Sequence, residues 1–279
     1  MLSFVVTVSA NEVDLASDRL WQLGVRAVEE RSAFVDGAVE LWTAVGDEPG
    51  AVERAAASLE PGWKWRTEET DTTTADTWRE FAAPMWISDD LVVLPAWRNA
   101  PDGIGSDVMQ LVIEPGGAFG LGDHPTTALS LEALLHVMTG GDLSVARPSV
   151  LDVGCGTGVL SVAAAALGAG HVRAIDLADA AVEATIDNAV RNDVDGAITV
   201  DNTDVSSLSG NYDIVLANIL APVLVSMSDH LQRLTAPNGT LIISGVLADN
   251  HAHVLTALEP FRVVETLESD GWVAVSLRR

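Results

Sequence analysis

Scarcities bound this chain first. Cys155 is the single cysteine among 279 residues, so an intrachain disulfide is excluded. It lies inside a glycine-rich turn, where a small side chain suits close packing. No histidine or other base stands beside it in sequence to make a nucleophilic thiolate. Lysine is nearly missing: Lys64 is the only one, and the other basic residues are arginines, 15 basic residues in all against 40 acidic ones. The net charge is −25. A nucleic-acid binder carries a basic face, so direct binding of RNA or DNA is not expected. An acidic field attracts a basic partner and speeds the encounter, although acidity also serves solubility by itself. No apolar run approaches the roughly 18 residues of a membrane helix. The start, Met1-Leu2-Ser3-Phe4-Val5, lacks the basic segment of a signal peptide. The expectation is a cytoplasmic protein with no membrane partner.

What is present is ordinary globular material, 48% hydrophobic, in a length that suits one large domain or two smaller ones. Leu2 to Ser9 alternates as a strand does. Glu12 to Gly24 has helical spacing at Val13, Ala16, Leu20 and Leu23, with Gly24 as the stop. Val25 to Ala33 and Ala38 to Val45 read as strands around an Asp36-Gly37 turn. Pro49 to Leu59 reads as a helix, and Trp63 to Glu68 as a strand. This βαββαβ order matches a ferredoxin-like α+β domain over residues 1–71. It contains no nucleophile, ligand cluster or glycine loop, so its expected role is binding or spacing. Trp21, Trp42, Trp63 and Trp65 are read as core or interface anchors.

Residues 72–84 are expected to be a linker, polar and poorly periodic at their start; within them Thr77 to Ala82 is compatible with a short helix before Pro84. Strands are expected at Leu91 to Trp97 and Met109 to Glu114. Between Glu114 and an apolar helix running through Met138 stand Gly116, Gly117, Gly120 and Gly122, a loop able to bend sharply over a ligand. Thr126 or Thr127 is expected to cap the helix, and either hydroxyl is also able to touch a cofactor. His124 reads as a base or ligand-positioning group, or as a structural loop histidine.

The centre of the chain is Ser149 to Gly158. A strand-type run ends at Val153, Gly154, Gly156 and Gly158 follow at every second position, and Val159 to Leu167 reads as a helix. This is the first half of a nucleotide-binding crossover. The spacing is Gly-x-Gly-x-Gly and not the pattern of dinucleotide enzymes. The next strand, from His171, ends in Asp176, twenty-two positions after Gly154, where an acid grips a ribose diol. A helix follows from Ala178 to Asn192, with Ala181, Val182, Ala184, Thr185, Ala189 and Val190 on its expected buried side. Further elements are a strand at Ala197 to Asp201, a strand from Tyr212 ending at Asn218, and a helix from Leu220 to Leu234 closed by Pro237-Asn238-Gly239. A strand at Thr240 to Ser244, a helix at Asn250 to Leu258 and a hairpin around Asp270-Gly271 complete the chain. Asp204 is read as a solvated loop aspartate, the alternative being an adenine contact. His251 and His253 are two apart on a helix and do not share a face, so no metal site is expected there. Alternating strands and helices mean a parallel sheet covered on both sides, and its ligands bind at the carboxyl ends of the strands, where Gly154, Asp176 and Asn218 all fall.

The glycine turn, the strand-end acid and the later strand-end asparagine together resemble the class I S-adenosylmethionine methyltransferases. The stretch from Glu114 through Gly122-Asp123-His124-Pro125-Thr126-Thr127 is similar to the signature of the PrmA family, methyltransferases of ribosomal protein eleven of the large subunit. Trp78-Arg79-Glu80-Phe81, Leu91 to Trp97, Leu151 to Gly158, Ala217-Asn218-Ile219-Leu220-Ala221 and Ser244-Gly245-Val246-Leu247 are similar as well. Two positions depart from that pattern. Leu121 stands where the family usually has threonine, which removes a hydroxyl. Pro222-Val223 stands where it usually has Gly-Pro, which alters a turn.

The resemblance implies an α/β fold: a Rossmann-like seven-stranded methyltransferase domain over residues 85–279. It implies S-adenosylmethionine as cofactor, held by Thr127, Gly154, Gly156, Asp176 and Asn218. Asn218 is also implied as the residue that orients the target amine, and a basic ribosomal protein as substrate, modified on lysine side chains and conceivably its N-terminal amine. A methyltransferase of the same build acting on another protein or a small molecule, and a cofactor-binding module without catalysis, are the alternatives.

Overall fold

The computed structural model describes residues 2–9, 12–21, 23, 25, 28–33, 37–46, 50–69, 82–98, 100–101, 103–105, 107–114, 124–141 and 145–279. Contacts divide the chain into two units, Met1–Ala82 and Ala83–Arg279. Trp78 to Phe81, the linker threonines and Leu121 lie outside the described residues, as do Asp36, Pro49 and Gly24.

In the first unit, β1 (Leu2–Ser9), α1 (Val13–Trp21), β2 (Val28–Ser32), β3 (Ala38–Thr43), α2 (Ala51–Ala57) and β4 (Lys64–Glu69) follow one another. The sheet order β2-β3-β1-β4 with antiparallel neighbours is that of a ferredoxin-like fold. The strand period of two explains the packing. Phe4, Val6 and Val8 of β1 join Leu41, Ala16, Leu20 and Ala55 in one core. On the opposite face Val5 is also fully buried, between its cross-strand partners Trp42 and Arg66. Trp42 itself lies between the guanidinium groups of Arg31 and Arg66, 4.1 and 5.2 Å from its ring centre. The other tryptophans divide. Trp63 packs on the core and donates Nε1 to Glu12 at 3.2 Å. Trp65 is 46% exposed but stacks on Phe4. The side chain of Trp21 is outside the described set.

The second unit opens with β5 (Met85–Ser88), β6 (Leu91–Pro95) and β7 (Met109–Ile113), a three-stranded sheet in that order. β5 has no counterpart in the sequence reading, because Met-Trp-Ile-Ser is too short to show a period. The chain then runs through α3 (Pro125–Thr139), β8 (Ser149–Val153), α4 (Val159–Ala166), β9 (His171–Ile175), α5 (Asp179–Arg191), β10 (Ile198–Asp201), β11 (Tyr212–Asn218), α6 (Ala221–Leu234), β12 (Thr235–Leu247), α7 (Ala252–Ala257), β13 (Arg262–Ser269) and β14 (Trp272–Arg278). The seven-stranded sheet has the order β10-β9-β8-β11-β12-β14-β13. The first five strands are parallel, and β14 runs antiparallel to both its neighbours. Alternate residues sort into two cores. Val150, Ile214, Leu216, Ile242 and Ala274 meet Leu131 and Leu134 of α3 and Val162 of α4. Leu151, Val215, Ala217, Leu241, Ile243 and Val275 meet Leu224 and Leu231 of α6 and Val254 of α7. Helices therefore cover both faces, as the near-continuous apolar strands require.

Three expectations are corrected. α6 does not end in a Pro-Asn-Gly stop, since β12 begins directly at Thr235. Pro237, Asn238 and Gly239 instead bulge inside β12, where pairing jumps from Tyr212–Thr235 to Ile214–Thr240. On α5, Val190 is 56% exposed, and its expected place inside is taken by Asn188, fully buried. Thr126 and Thr127 do not cap α3; His124 does. The hairpin turn is at Asp270 and Gly271 as expected, both with positive φ, the combination that matches strand twist in a two-residue connection.

The glycine turn after β8 leaves no space at its last position. Gly158 has φ +77°, and a Cβ there would stand 2.7 Å from Thr185 Oγ1 and Cγ2. Gly158→Ala is expected to lower stability by at least about 1 kcal/mol from the left-handed backbone alone, with the collision added, and urea unfolding measures it. An unchanged midpoint would mean that α5 moves aside freely.

Candidate active site

Strand order reverses across β8, with β9 on one side and β11 on the other. That switch point leaves a crevice beyond the carboxyl ends of the strands. The turn leaving β8 is built of left-handed glycines, φ +71° at Gly154, +55° at Gly156 and +77° at Gly158. This path turns successive N–H groups toward β9. Gly154 and Cys155 both donate to the Ile175 carbonyl, at 2.8 and 3.1 Å. Gly156 donates to Asp176 Oδ2 at 3.0 Å, and Ala178 donates to Asp176 Oδ1 at 3.0 Å. The half-buried carboxyl is thus fixed by one backbone donor on each oxygen, and each oxygen keeps lone-pair capacity for another donor.

Cys155 has no part in chemistry here. It is buried against Thr185, 3.3 Å from its hydroxyl. Burial, with Asp152 and Asp176 close by, pushes the thiol far above its ordinary range. The glycine turn reaches β11 through Gly154, where a Cβ would lie 3.3 Å from the Ile219 side chain. Ile219 follows Asn218, the last residue of β11, which pairs with Ser244 of β12. Gly245 comes next on β12 at φ +83°, and a Cβ there would fall 2.5 Å from the Ile219 carbonyl. The backbone around Asn218 is therefore packed to contact. Pro222 sits in the first turn of α6, where a missing N–H leaves no bond unmade.

The start of α3 belongs to the same edge. His124 caps the helix, its Nδ1 accepting from Thr126 N at 3.3 Å and lying 2.8 Å from Thr126 Oγ1. Its ring meets Trp272 edge-on at 5.1 Å. The Ser244 hydroxyl lies within reach of both the Val273 and Thr126 carbonyls, at 2.9 and 3.3 Å, and so ties the first turn of α3 to the strand that pairs with Asn218. Thr127 follows, 1% exposed, and its Oγ1 has no hydrogen-bond partner among the described residues. A buried hydroxyl without a partner costs about 1–3 kcal/mol, so this one fits a place for a ligand's polar atom.

Asp204 caps the short turn Val205–Ser207, accepting from Ser206 N at 2.8 Å. The Ser206 bonds hold its carboxyl below the usual range, and it stands as a solvated cap. His251 is engaged with the Ala248 carbonyl through Nδ1 at 2.6 Å, while His253 is exposed. Among the described residues no group of three or more His, Cys, Asp and Glu side chains is placed to hold a metal.

Gly154, Gly156, Asp176 and Asn218 thus lie at one edge of the seven-stranded sheet, and the first turn of α3, which holds Thr127, is tied to β12 through Ser244. Asn188 was not singled out from sequence; Thr185 was named only on the buried side of its helix and Ser244 only within a stretch similar to the family pattern. Asn188 stands three residues after Thr185 and four before Asn192, a polar stripe at helical spacing on the side that the alanines mark as buried. That stripe was the available signal.

A sequence model of the family described as "Ribosomal protein L11 methyltransferase (PrmA)" matches residues 51–279. A relative from Geotalea daltonii, named ribosomal protein L11 methyltransferase, is 33% identical over 99% of this chain and 92% of that protein. One of the same name from Marinobacter nauticus is 34% identical over 95% of this chain and 94% of its own. The crystal structure of a ribosomal protein L11 methylase from Lactobacillus delbrueckii subsp. bulgaricus is similar with a TM-score of 0.64 and 27% identity, covering 71% of this chain and 99% of that one.

Asp152, within β8, is fully buried, and one of its oxygens accepts from Ser161 at 2.6 Å while the other has no partner among the described residues. Burial pushes its carboxyl up to about 6 from 3.8. Between those values the folded chain holds a proton that the unfolded chain has lost. Stability from this group is therefore full below about pH 4 and falls as pH rises through 6. Asp152→Asn is expected to be the more stable protein at pH 8, by on the order of 2–3 kcal/mol. The gap should close as pH falls to 4. Urea unfolding at pH 4, 6 and 8 measures it, and a gap independent of pH would contradict the assignment.

Proposed function

The chain belongs to the ribosomal protein L11 methyltransferase family, and we propose that it transfers methyl groups from S-adenosylmethionine to lysine amino groups of that ribosomal protein at the edge carrying Thr127, Gly154, Gly156, Asp176 and Asn218. The observation that carries the assignment of residues is the bonding of Asp176. An acid oriented by backbone donors from two successive turns, beside a turn whose glycines admit close approach, suits the vicinal diol of a ribose. When bound, the cofactor supplies a methyl group activated by a sulfonium. Gly154 and Gly156 admit it without a Cβ in the way. The unpartnered Thr127 hydroxyl offers it one hydrogen bond.

Asn218 then faces the chemistry of the acceptor. A lysine amine with pKa near 10.4 must lose its proton before it attacks, which costs about 4 kcal/mol at neutral pH. A carboxylate at that position would favour the charged, unreactive form. An amide carbonyl accepts one N–H of the neutral amine and leaves its lone pair directed at the methyl group, so that placement supplies the rate. Residues 1–71, which carry no chemistry of their own, serve as the surface that holds the protein substrate. The net charge of −25 favours capture of a basic ribosomal protein, and such a substrate places the work in the cytoplasm.

Two variants test the assignment together. Asp176→Ala should weaken binding of S-adenosylhomocysteine by about tenfold or more, equivalent to about 1.4 kcal/mol, as calorimetry reads it. Asn218→Ala should lower kcat on the ribosomal protein far more than it weakens cofactor binding. Wild-type affinity in the first variant would remove the ribose from Asp176. Equal losses of turnover and affinity in the second would make Asn218 a cofactor residue only.

A further inference from the structure

Outside the edge just described, the side chain of Asn188 on α5 makes four hydrogen bonds among the described residues. It is completely buried. Its Nδ2 donates to the Glu114 carbonyl at 2.8 Å and to the Thr157 carbonyl at 2.9 Å. Its Oδ1 accepts from Glu114 N at 2.9 Å and from Arg191 Nη1 at 2.7 Å. An amide has two N–H donors and two carbonyl lone pairs, so all four positions are filled. The two backbone points it joins are far apart in sequence. Thr157 lies between Gly156 and Gly158 in the turn after β8. Glu114 follows β7 and stands ten residues before His124 and thirteen before Thr127 in sequence.

Asn192, one turn further along α5, provides a comparison within the molecule. Its Oδ1 accepts from Val112 N and its Nδ2 donates to the Val112 carbonyl, both at 2.8 Å. This is the same two-bond pairing onto β7. Asn192 touches the glycine turn nowhere among these bonds; its remaining bond goes to the Asn188 carbonyl. Holding α5 to β7 is thus done twice, and only the second time does the amide also reach the turn. Thr185 reinforces that side, donating to the Gly156 carbonyl at 3.2 Å.

We propose that Asn188 is a positioning residue for methyl transfer: its single buried amide locks the cofactor turn at Thr157 to the end of β7 at Glu114, so that the turn is held in the path that admits the cofactor. The proposal rests on the placement of the cofactor at Gly154, Gly156 and Asp176. Asn188 touches neither cofactor nor substrate. It acts through the backbone, where loss of a buried donor leaves two carbonyls unsatisfied.

The test compares Asn188→Asp with Asn192→Asp in the full chain. Each replaces a donor by an oxygen that faces carbonyl oxygens, and each loses the pairing to β7, so both are expected to lower the melting temperature. Asn188→Asp alone should raise the Kd for S-adenosylhomocysteine and the KM for S-adenosylmethionine by about tenfold or more, with a smaller change in kcat. Asn192→Asp should stay within about twofold of wild type. Equal affinity changes in the two variants, or wild-type affinity in a folded Asn188→Asp, overturn the proposal.

Should Asn188→Asp not fold, hydrogen exchange on the wild-type protein decides. S-adenosylhomocysteine should slow exchange of the Glu114 amide, which is bonded to Asn188, and leave the Val112 amide, bonded to Asn192, unchanged. Protection that stops at the glycine turn overturns the proposal. A wild-type protein that fails to bind S-adenosylhomocysteine at all would instead remove the cofactor assignment on which it rests.

Discussion

Asp176 receives an N–H from Gly156 on one carboxyl oxygen and an N–H from Ala178 on the other, each at 3.0 Å. The first donor is in the turn after β8 and the second lies just ahead of α5. The parallel register that pairs Val153 with Ile175 brings these two turns side by side. A turn made of ordinary residues would not present its N–H groups this way, since it needs φ above +50° at three alternate positions, and only glycine adopts that cheaply. The sequence requirement for three glycines and the requirement for an acid after β9 are therefore one requirement, seen from its two partners. Hydrogen bonds to a charged group are worth about 1.5–3 kcal/mol each. Two of them hold the acid in one orientation before any ligand arrives, which lowers the ordering cost of binding.

Charge is arranged at two ranges. Close to the turn, Asp176 adds to the burial that raises the pKa of Asp152, and both carboxylates raise that of Cys155. A methyl donor that carries a sulfonium is favoured in such surroundings, while a pyrophosphate would be repelled. This agrees with a glycine spacing that differs from that of dinucleotide enzymes. At long range the acidic excess of the whole chain is screened within about 8 Å at physiological salt. On the proposed basic substrate it would therefore act only within about that distance, and the rate of capture would fall as ionic strength rises.

Regular elements were legible where their period was long or their stop was chemical. β8, the turn after it, β11 and the Asp270-Gly271 hairpin fall where alternation, glycine and turn chemistry put them. Gly154, Asp176 and Asn218 could be gathered onto one sheet edge from sequence, because parallel strands send all their carboxyl ends the same way, whereas the choice of Thr127, on a helix, came only from the resemblance. Legibility failed where tertiary partners decide. Asn188 looks like a surface residue until β7 and the turn are known to flank it, and Val190 looks like core until they do. His124 caps α3 in place of the threonines because its ring nitrogen reaches Thr126 N, a choice that composition does not reveal. Pro237-Asn238-Gly239 has the chemistry of a stop signal. Its neighbours in β11 and β14 keep the chain in the sheet nonetheless, with the bulge as the compromise.

The surroundings of Asn218 carry the argument from geometry to the state of the acceptor. Leu220 and Leu247 are 38% and 36% exposed, large apolar side chains that the fold leaves partly in water. Leu220 follows Asn218 by two residues, and Leu247 pairs with Trp272, whose ring meets His124. On the role proposed for Asn218, apolar surface near the amide would act on an incoming amine in one direction: it would remove water from the ammonium form, which is the form that needs it, and so lower the pKa that must be overcome. An amide carbonyl would then accept an N–H of the neutral amine without restoring the charge, where a carboxylate would favour the charged form.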